Sequence, residues 1–259
     1  MSKYDTELQD FGTLFSLKGK IAVVTGGSRG LGLHAASAFL QAGCTTVYIT
    51  SRKASACHTA ITTLNSLPNL SADAKAISIL ADISTIEGIT HLVSEVMNLN
   101  VKSVFGTVRL FAPLLQKAAT PEDPSRVIVT ASIAGLAVSP PSPTSAIGYS
   151  ASKAAAIHLT RSLAMELGPR NILCNSISPG FFPSKMANGI IEKQGGAQKL
   201  AKANPHGRLG RPEDVAGAVV YLASRAGSHV NGANLVVDGG EVLSRGGSVD
   251  EEEEQKAKL

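Results

Sequence analysis

Short apolar, β-branched runs alternate with stretches of helical spacing along most of this chain. Lys20–Thr25 (KIAVVT) is apolar and closed by glycines, which predicts a buried parallel strand. Leu31–Ala42 has helical spacing, and Gly43 stands where a helix would end. Thr46–Thr50 (TVYIT) predicts a second strand, Ala54–Leu67 a second helix and Ala76–Ala81 (AISILA) a third strand. Further on, Arg126–Thr130 (RVIVT) predicts a strand, Ser139–Pro143 a proline-rich loop and Ile147–Leu167 a long helix ended by Gly168 and Pro169. Ile172–Ser178 predicts a strand that leads into the Pro179–Gly180 turn. Pro212 opens another helix, with Glu213 and Asp214 in its first turn, where the helix dipole favours acids. Asn234–Val237 is the last predicted strand.

Alternation of this kind implies right-handed crossovers and an α/β fold around a parallel sheet. It breaks once. From Ile86 to Val108 the apolar residues keep a roughly helical spacing, and no β-rich run interrupts them. A continuous helix of that length is unusual in a globular domain, so an expected element is absent here.

The 259 residues suit one large domain, here 17–243, after a polar arm (1–16) and before an acidic tail (244–259). Hydrophobic residues make up 44% and charged residues 17%, the balance of a globular chain. No run of eighteen apolar residues is present, and the polar start MSKYDTELQDFG lacks a signal-peptide core. A cytoplasmic location is the expectation. Cys44, Cys57 and Cys174 lie far apart and form no CxxC, which predicts buried thiols rather than disulfides or zinc. The histidines show no ligand spacing, so no metal is expected.

The net charge of +4 conceals an asymmetry, because DEEEEQKAKL at the end holds five acids and two lysines. The body is therefore more basic than the total suggests. Neither an arginine-rich stripe nor an aromatic-interleaved patch points to nucleic acid, so an anionic cofactor is the simpler reason.

Thr25-Gly26-Gly27-Ser28-Arg29-Gly30-Leu31-Gly32 falls between the first strand and the first helix. Glycines there permit a tight turn, let the backbone approach a phosphate and let helix and strand pack closely. A pyrophosphate would lie at the helix N-terminus, facing free amides and the positive end of the dipole. The same residues match GxSxG, the nucleophile elbow of serine hydrolases, with Ser28 as nucleophile and Asp214 and His229 as partners. An elbow on the first strand is early, and Gly30 and Gly32 are better explained by a dinucleotide.

NAD sites usually place an acid at the end of the second strand to hold the ribose 2′-hydroxyl. Here the strand ends Ile49-Thr50-Ser51-Arg52-Lys53, without an acid. Arg52 and Arg29 could pair with a 2′-phosphate and Ser51 could donate to it, which favours NADP(H). Tyr149 and Lys153 lie four apart at the start of a helix and share a face. A lysine beside a tyrosine stabilises phenolate, so it is expected to lower the tyrosine pKa and ready it for proton transfer to a carbonyl. Ser132, after the preceding strand, could hold the same carbonyl oxygen.

Taken in order, the glycine loop, Asp82, Asn100, Ser132, Tyr149/Lys153, Pro179–Gly180 and Asp238-Gly239-Gly240 resemble the short-chain dehydrogenase/reductase family from about Leu17 to Gly240. The resemblance implies a Rossmann-like doubly wound parallel sheet in a subunit that forms homodimers or homotetramers. It implies that Tyr149 is the general acid, that Lys153 binds the nicotinamide ribose, and that Ser132 orients the substrate. Asn100 would hold a water of the proton relay, Asp82 would contact the adenine, and Phe182 and Ser184, after Pro179–Gly180, the nicotinamide. The stretches FSLKGKIAVVTGGSRG, NVKSVF, PGFFPSKM and GRLGRPED look like the rhamnolipid-type branch of 3-oxoacyl-carrier-protein reductases. The implied reaction is reduction of a 3-oxo group on an acyl thioester by NADPH.

Two departures stand out. The Ser132–Tyr149 interval is lengthened by Ser139–Pro143, a surface insertion of a kind that is usually tolerated. Between Asp82 and Asn100, however, the family's fourth strand and its motif have no counterpart. Its loss would leave neighbouring strands unpaired, or let 126–130 move inward beside 20–25 and misplace Ser132 and Tyr149. Either way the expectation includes a shortened product that binds NADP or a sibling subunit with little or no turnover.

Overall fold

The computed structural model describes residues 11–80, 97–138, 147–184 and 187–244. Asp82, the proline-rich loop, the acidic tail and most of the polar arm lie outside the described residues. The chain runs β1 (Ile21–Thr25), α1 (Gly30–Gln41), β2 (Thr46–Ser51), α2 (Ala54–Asn65) and β3 (Lys75–Leu80). A π-helical turn, Asn98–Lys102, leads into α3 (Ser103–Ala118), followed by β4 (Ser125–Thr130), α4 (Ile147–Leu167) and β5 (Ile172–Pro179). Two short helices, α5 (Asn188–Lys193) and α6 (Ala197–Ala203), precede α7 (Pro212–Ala223), β6 (Asn234–Val237) and α8 (Glu241–Ser244).

The predicted strands and helices all form, and they alternate as a Rossmann-like α/β fold with parallel pairing. The strands are nevertheless divided between two three-stranded sheets, ordered β1-β2-β3 and β4-β5-β6. Ile21 pairs with Thr46 and Thr25 with Thr50 in the first, while Ser125 pairs with Ile172 in the second. Among the described residues β1 pairs only with β2, and β4 only with β5. Thus β4 does not move inward to pair with β1.

Local signals set the element ends. Gly43 follows α1 at φ +106, and a Cβ there would meet the Lys18 backbone at 3.2 Å. Asn171 closes the turn after α4 in the left-handed region, φ 55. At α7, Pro212 sits in the first turn and the Asp214 carboxylate accepts the Arg211 N–H at 2.7 Å.

Three apolar clusters hold the layers together. Val47 and Ile49 of β2 pack with Ala36, Leu40, Ala60 and Leu64 from α1 and α2. Val108 and Ala112 of α3 pack with Leu163, Leu167, Ile172 and Val127. The third joins the half-sheets: Leu31, Ala35 and Ala38 of α1 meet Val215, Val219 and Leu222 of α7, over Ile128, Ile177 and Val237. An ion pair between Lys20 and Asp123 ties the starts of β1 and β4 on the opposite rim.

The buried setting expected for 20–25 is corrected by the structure. Ile21 is 68% exposed and Val23 43%, while Val24 and Ala22 pack inward. The reason is that β1 has a covered face toward α1 and, among the described residues, no cover on the other. Cys44, Cys57 and Cys174 are buried free thiols, as expected.

Candidate active site

Ser132 leaves the end of β4 through the buried Ala131 and opens a 3-10 turn, Ile133–Gly135. Its hydroxyl accepts the Ala134 N–H at 3.2 Å. Gly135 lies flush on α4: a Cβ there would be 2.6 Å from the Ala154 nitrogen and 2.6 Å from the Lys153 carbonyl carbon. That close approach carries Ser132 to the first turn of α4, where a side-chain hydrogen bond links it to Tyr149.

Lys153 lies one helical turn beyond Tyr149, with its Nζ 5.6 Å from the tyrosine ring centroid. The same Nζ donates to the Thr130 carbonyl oxygen at 2.9 Å, so the lysine ties α4 to the end of β4. Burial pushes its pKa down to about 8. Burial also raises the Tyr149 pKa, and the Ser132 hydrogen bond opposes the rise. The expectation that Lys153 lowers the Tyr149 pKa is therefore not met here. The amine faces Thr130, and desolvation of the phenolate is the larger effect.

Asn100 stands on the π-helical turn, a distortion that often marks functional positions. Its Nδ2 donates to Ser152 Oγ at 3.0 Å, and Ser152 Oγ donates to the Tyr149 carbonyl at 2.7 Å. Four separately predicted residues, Asn100, Ser132, Tyr149 and Lys153, thus meet around the start of α4. Thr130 and Ser152 complete the network and were not among the predicted site residues. Thr130 acts through its backbone, which leaves no side-chain signal, whereas Ser152 was readable inside the Y-S-A-S-K stretch.

The glycine loop follows β1. Gly26 has φ +69, and a Cβ on Gly32 would lie 2.6 Å from the Gly26 carbonyl oxygen. The turn is closed so tightly that α1 starts against it, and Arg29, at the N-cap of that helix, makes no side-chain cap hydrogen bond. Gly30 is its first residue and Leu31 anchors it in the third cluster. Ser28 is half-buried and Arg29 exposed. Ser51 ends β2, the strand beside β1, and Arg52 follows it as an exposed side chain. The loop is thus shaped to admit a phosphate against bare amides, with guanidinium groups leaving two adjacent strand ends.

On the other half-sheet, Pro179 ends β5 and Gly180 donates its N–H to Val237 O at 3.0 Å. Phe182 packs into the core and also borders a cavity: its ring is buried with Val215 and Val219 and leaves no room for a Cβ on Gly210. Ser184 is engaged locally, accepting the Ala187 N–H at 3.1 Å while its own N–H donates to Asn188 at 3.1 Å. A cavity of about 390 Å³ opens between Phe182, Arg208 and Asp238, without Ser132, Tyr149 or Lys153 in its wall.

The hydrolase arrangement does not assemble. Asp214 is held by both Arg208 nitrogens at 2.7 and 2.9 Å, which pull its carboxyl down to about 2. His229 is exposed. Among the described residues no cluster of metal-ligating side chains is present, and no helix is long and apolar enough to cross a membrane.

A family model described as short chain dehydrogenase matches residues 20–99, and one described as Enoyl-(Acyl carrier protein) reductase matches 76–241. The rhamnolipids biosynthesis 3-oxoacyl-[acyl-carrier-protein] reductase of Pseudomonas aeruginosa is 36% identical, covering 87% of this chain and 97% of that protein. That alignment runs over 259 positions yet takes in only 87% of this chain, so some positions of the relative face no residue here. Galactitol 2-dehydrogenase (L-tagatose-forming) of Cereibacter sphaeroides is 30% identical over 89% of this chain and 98% of its own. Among solved structures, the Pseudomonas aeruginosa RhlG/NADP active-site complex superposes with TM-score 0.79 at 34% identity, over 89% of this chain and 99% of that one.

Proposed function

Since the chain belongs to the short-chain dehydrogenase/reductase family, we propose that it reduces a carbonyl to a hydroxyl with NADPH, with Tyr149 as proton donor. The observation that carries this reading is the meeting of Tyr149, Ser132 and the buried Lys153 at one end of α4. A carbonyl oxygen seated there takes a hydrogen bond from Ser132 and the proton of Tyr149. Lys153, with Thr130 O as one partner, keeps donors free for a ribose hydroxyl and for the phenol as it loses its proton. Asn100 acts from behind, through Ser152, to hold the first turn of α4 in place.

The residues present fit a dinucleotide phosphate. The contact between Gly32 and the Gly26 carbonyl makes a cradle that any Cβ would fill, and the Arg29 side chain does not cap the start of α1 above it. Arg29, Ser51 and Arg52 are the residues for a 2′-phosphate, and no acid at the end of β2 opposes it. Bound there, NADPH supplies the hydride. Asp82, Gly26, Ser28, Gly30, Leu31, Pro179, Gly180, Phe182 and Ser184 complete the proposed cofactor set.

The substrate class proposed is a 3-oxoacyl thioester, on the strength of the Pseudomonas aeruginosa relative. The decisive assay follows NADPH consumption with acetoacetyl thioesters of a small carrier mimic. Turnover that disappears in Tyr149→Phe supports the reading, and turnover that survives it removes Tyr149 from the chemistry.

A second reading has its own observation. The glycine loop and the Tyr149 cluster belong to different half-sheets, which do not pair among the described residues. Hydride transfer tolerates errors of only about 1 Å. On this reading the chain binds NADP without turnover, and calorimetric titration with NADPH beside the assay separates the two.

A further inference from the structure

Among the described residues the half-sheets share no strand pairing, so the packing of α1 on α7 is their apolar joint. Leu31, Ala35 and Ala38 form the α1 side of that contact, and His34 falls on the same face by the helical spacing of three and four. On the α7 side, Val215, Val219 and Leu222 belong to the same cluster, while Val220 and Ala223 reach the first one. His34 is half-buried, and its Nδ1 is buried without a hydrogen-bond partner.

The other buried side-chain atoms without a partner, among the described residues, belong to the same layer. They are Nε and Nη1 of Arg126. Arg126 lies two positions before Ile128, a member of the joint's cluster, and its Nη2 reaches Ser224 O, just after α7, at 3.4 Å. The joint thus already holds one cation with open donors, and a second charge there adds a further desolvation cost.

Few groups can offset a charge on His34. α1 carries no other acid or base. It packs against α7, β1, β2 and α2, whose titratable side chains are Glu213, Asp214 and Tyr221, then Tyr48 on β2, and Cys57 and His58 on α2. Arg29 and Arg211, at the N-caps of α1 and α7, are exposed. Asp214 is held by Arg208 and by the Arg211 N–H. Glu213, in the first turn of α7, is the acid whose charge acts on His34.

We propose that His34 makes the joint between the half-sheets acid-sensitive: on taking up a proton it loosens α1 from α7 and lets the glycine-loop half move relative to the Tyr149 half. A neutral imidazole has one donor and one acceptor nitrogen, whereas the imidazolium donates from both, and Nδ1 meets no acceptor in the closed joint. Burial lowers the His34 pKa from its ordinary 6.5, with Glu213 opposing, so the closed joint favours the neutral ring. The contribution of His34 to the joint is complete above pH 6.5 and is lost as pH falls from there through the lowered value. Neither the cofactor reading nor turnover enters the proposal.

Hydroxyl-radical footprinting of the full 259-residue protein, read by mass spectrometry, tests it. The series runs from about pH 7 to about pH 5, the span in which histidine is the side chain that ordinarily titrates. Oxidation of Leu31, Val215 and Leu222 in the joint should rise as pH falls, by at most about tenfold per pH unit for one proton. Leu64 and Leu163, in the first and second clusters, should stay protected. His34→Leu should abolish the rise, and Glu213→Gln, which removes the opposing charge, should extend it to lower pH. A rise that persists unchanged in His34→Leu overturns the proposal, as does no rise at all. Equal oxidation of Leu64 and Leu163 overturns it too, because the whole chain then unfolds rather than the joint. Should His34→Leu not fold, Glu213→Gln decides, and a pH profile identical to that of the unaltered protein rejects the idea.

Discussion

Lys153 Nζ donates to the Thr130 carbonyl oxygen at 2.9 Å, and this bond joins the first turns of α4 to the last residue of β4. It crosses from helix to strand just where Ser132 and Tyr149 meet. A lysine so placed has an architectural role beside the chemical one proposed for it, and the two can be separated by measurement.

Tyr149→Phe removes the proposed proton donor and leaves the ring that Lys153 faces. The expected loss in kcat is about 10²–10⁴-fold, with NADPH affinity nearly unchanged, read by steady-state rates and by titration. A comparable loss of affinity would show that the phenol holds cofactor rather than moving a proton.

Lys153 has a folded-state pKa of about 8 against an ordinary 10.5, so between these values the unfolded chain binds the extra proton. Its contribution to stability is full above about pH 10.5 and is lost as pH falls through about 8. Denaturant unfolding across that window should show a rise with pH that Lys153→Met abolishes. The raised Tyr149 pKa works in the opposite sense, its contribution being lost only as pH climbs past the ordinary tyrosine value toward the raised one.

Gly135→Ala would set a Cβ 2.6 Å from the backbone of Lys153 and Ala154, atoms that cannot swing aside. A destabilisation of about 1–3 kcal/mol is expected in urea titration, and the turn should lift Ser132 from Tyr149. Unchanged stability with full activity would mean that the turn and α4 are not in contact in solution.

Arg52→Glu places an acid where dinucleotide sites for NAD carry one. NADPH affinity should fall about tenfold or more while NADH affinity holds or improves, measured by calorimetry with both cofactors. Equal losses for the two would assign Arg52 to the diphosphate or to the fold instead.

Much of this protein could be read directly from residue order. Short apolar, β-branched runs placed the strands and a spacing near 3.6 placed the helices, because burying both faces of a strand or one face of a helix leaves a trace in residue order. The two small helices after Ser184 went unseen, being too short to show a period. Phe182, read as a cofactor neighbour, also packs beside Gly210 in the third cluster, and sequence alone does not say which way a ring turns.

Tyr149/Lys153, Ser132, Asn100 and the glycine loop are likewise legible as one-dimensional motifs, each with a local reason for its spacing. What only the tertiary structure decided is how they are joined. Strand pairing is a contact between residues distant in sequence, so whether β1 meets β4 is not written in either segment. Among the described residues the structure leaves β1 and β4 unpaired with each other, exposes Ile21 and Val23, and buries an Arg126 guanidinium whose Nε and Nη1 have no partner. It also turns the Lys153 amine toward Thr130, so that burial rather than the lysine dominates the ionisation of Tyr149.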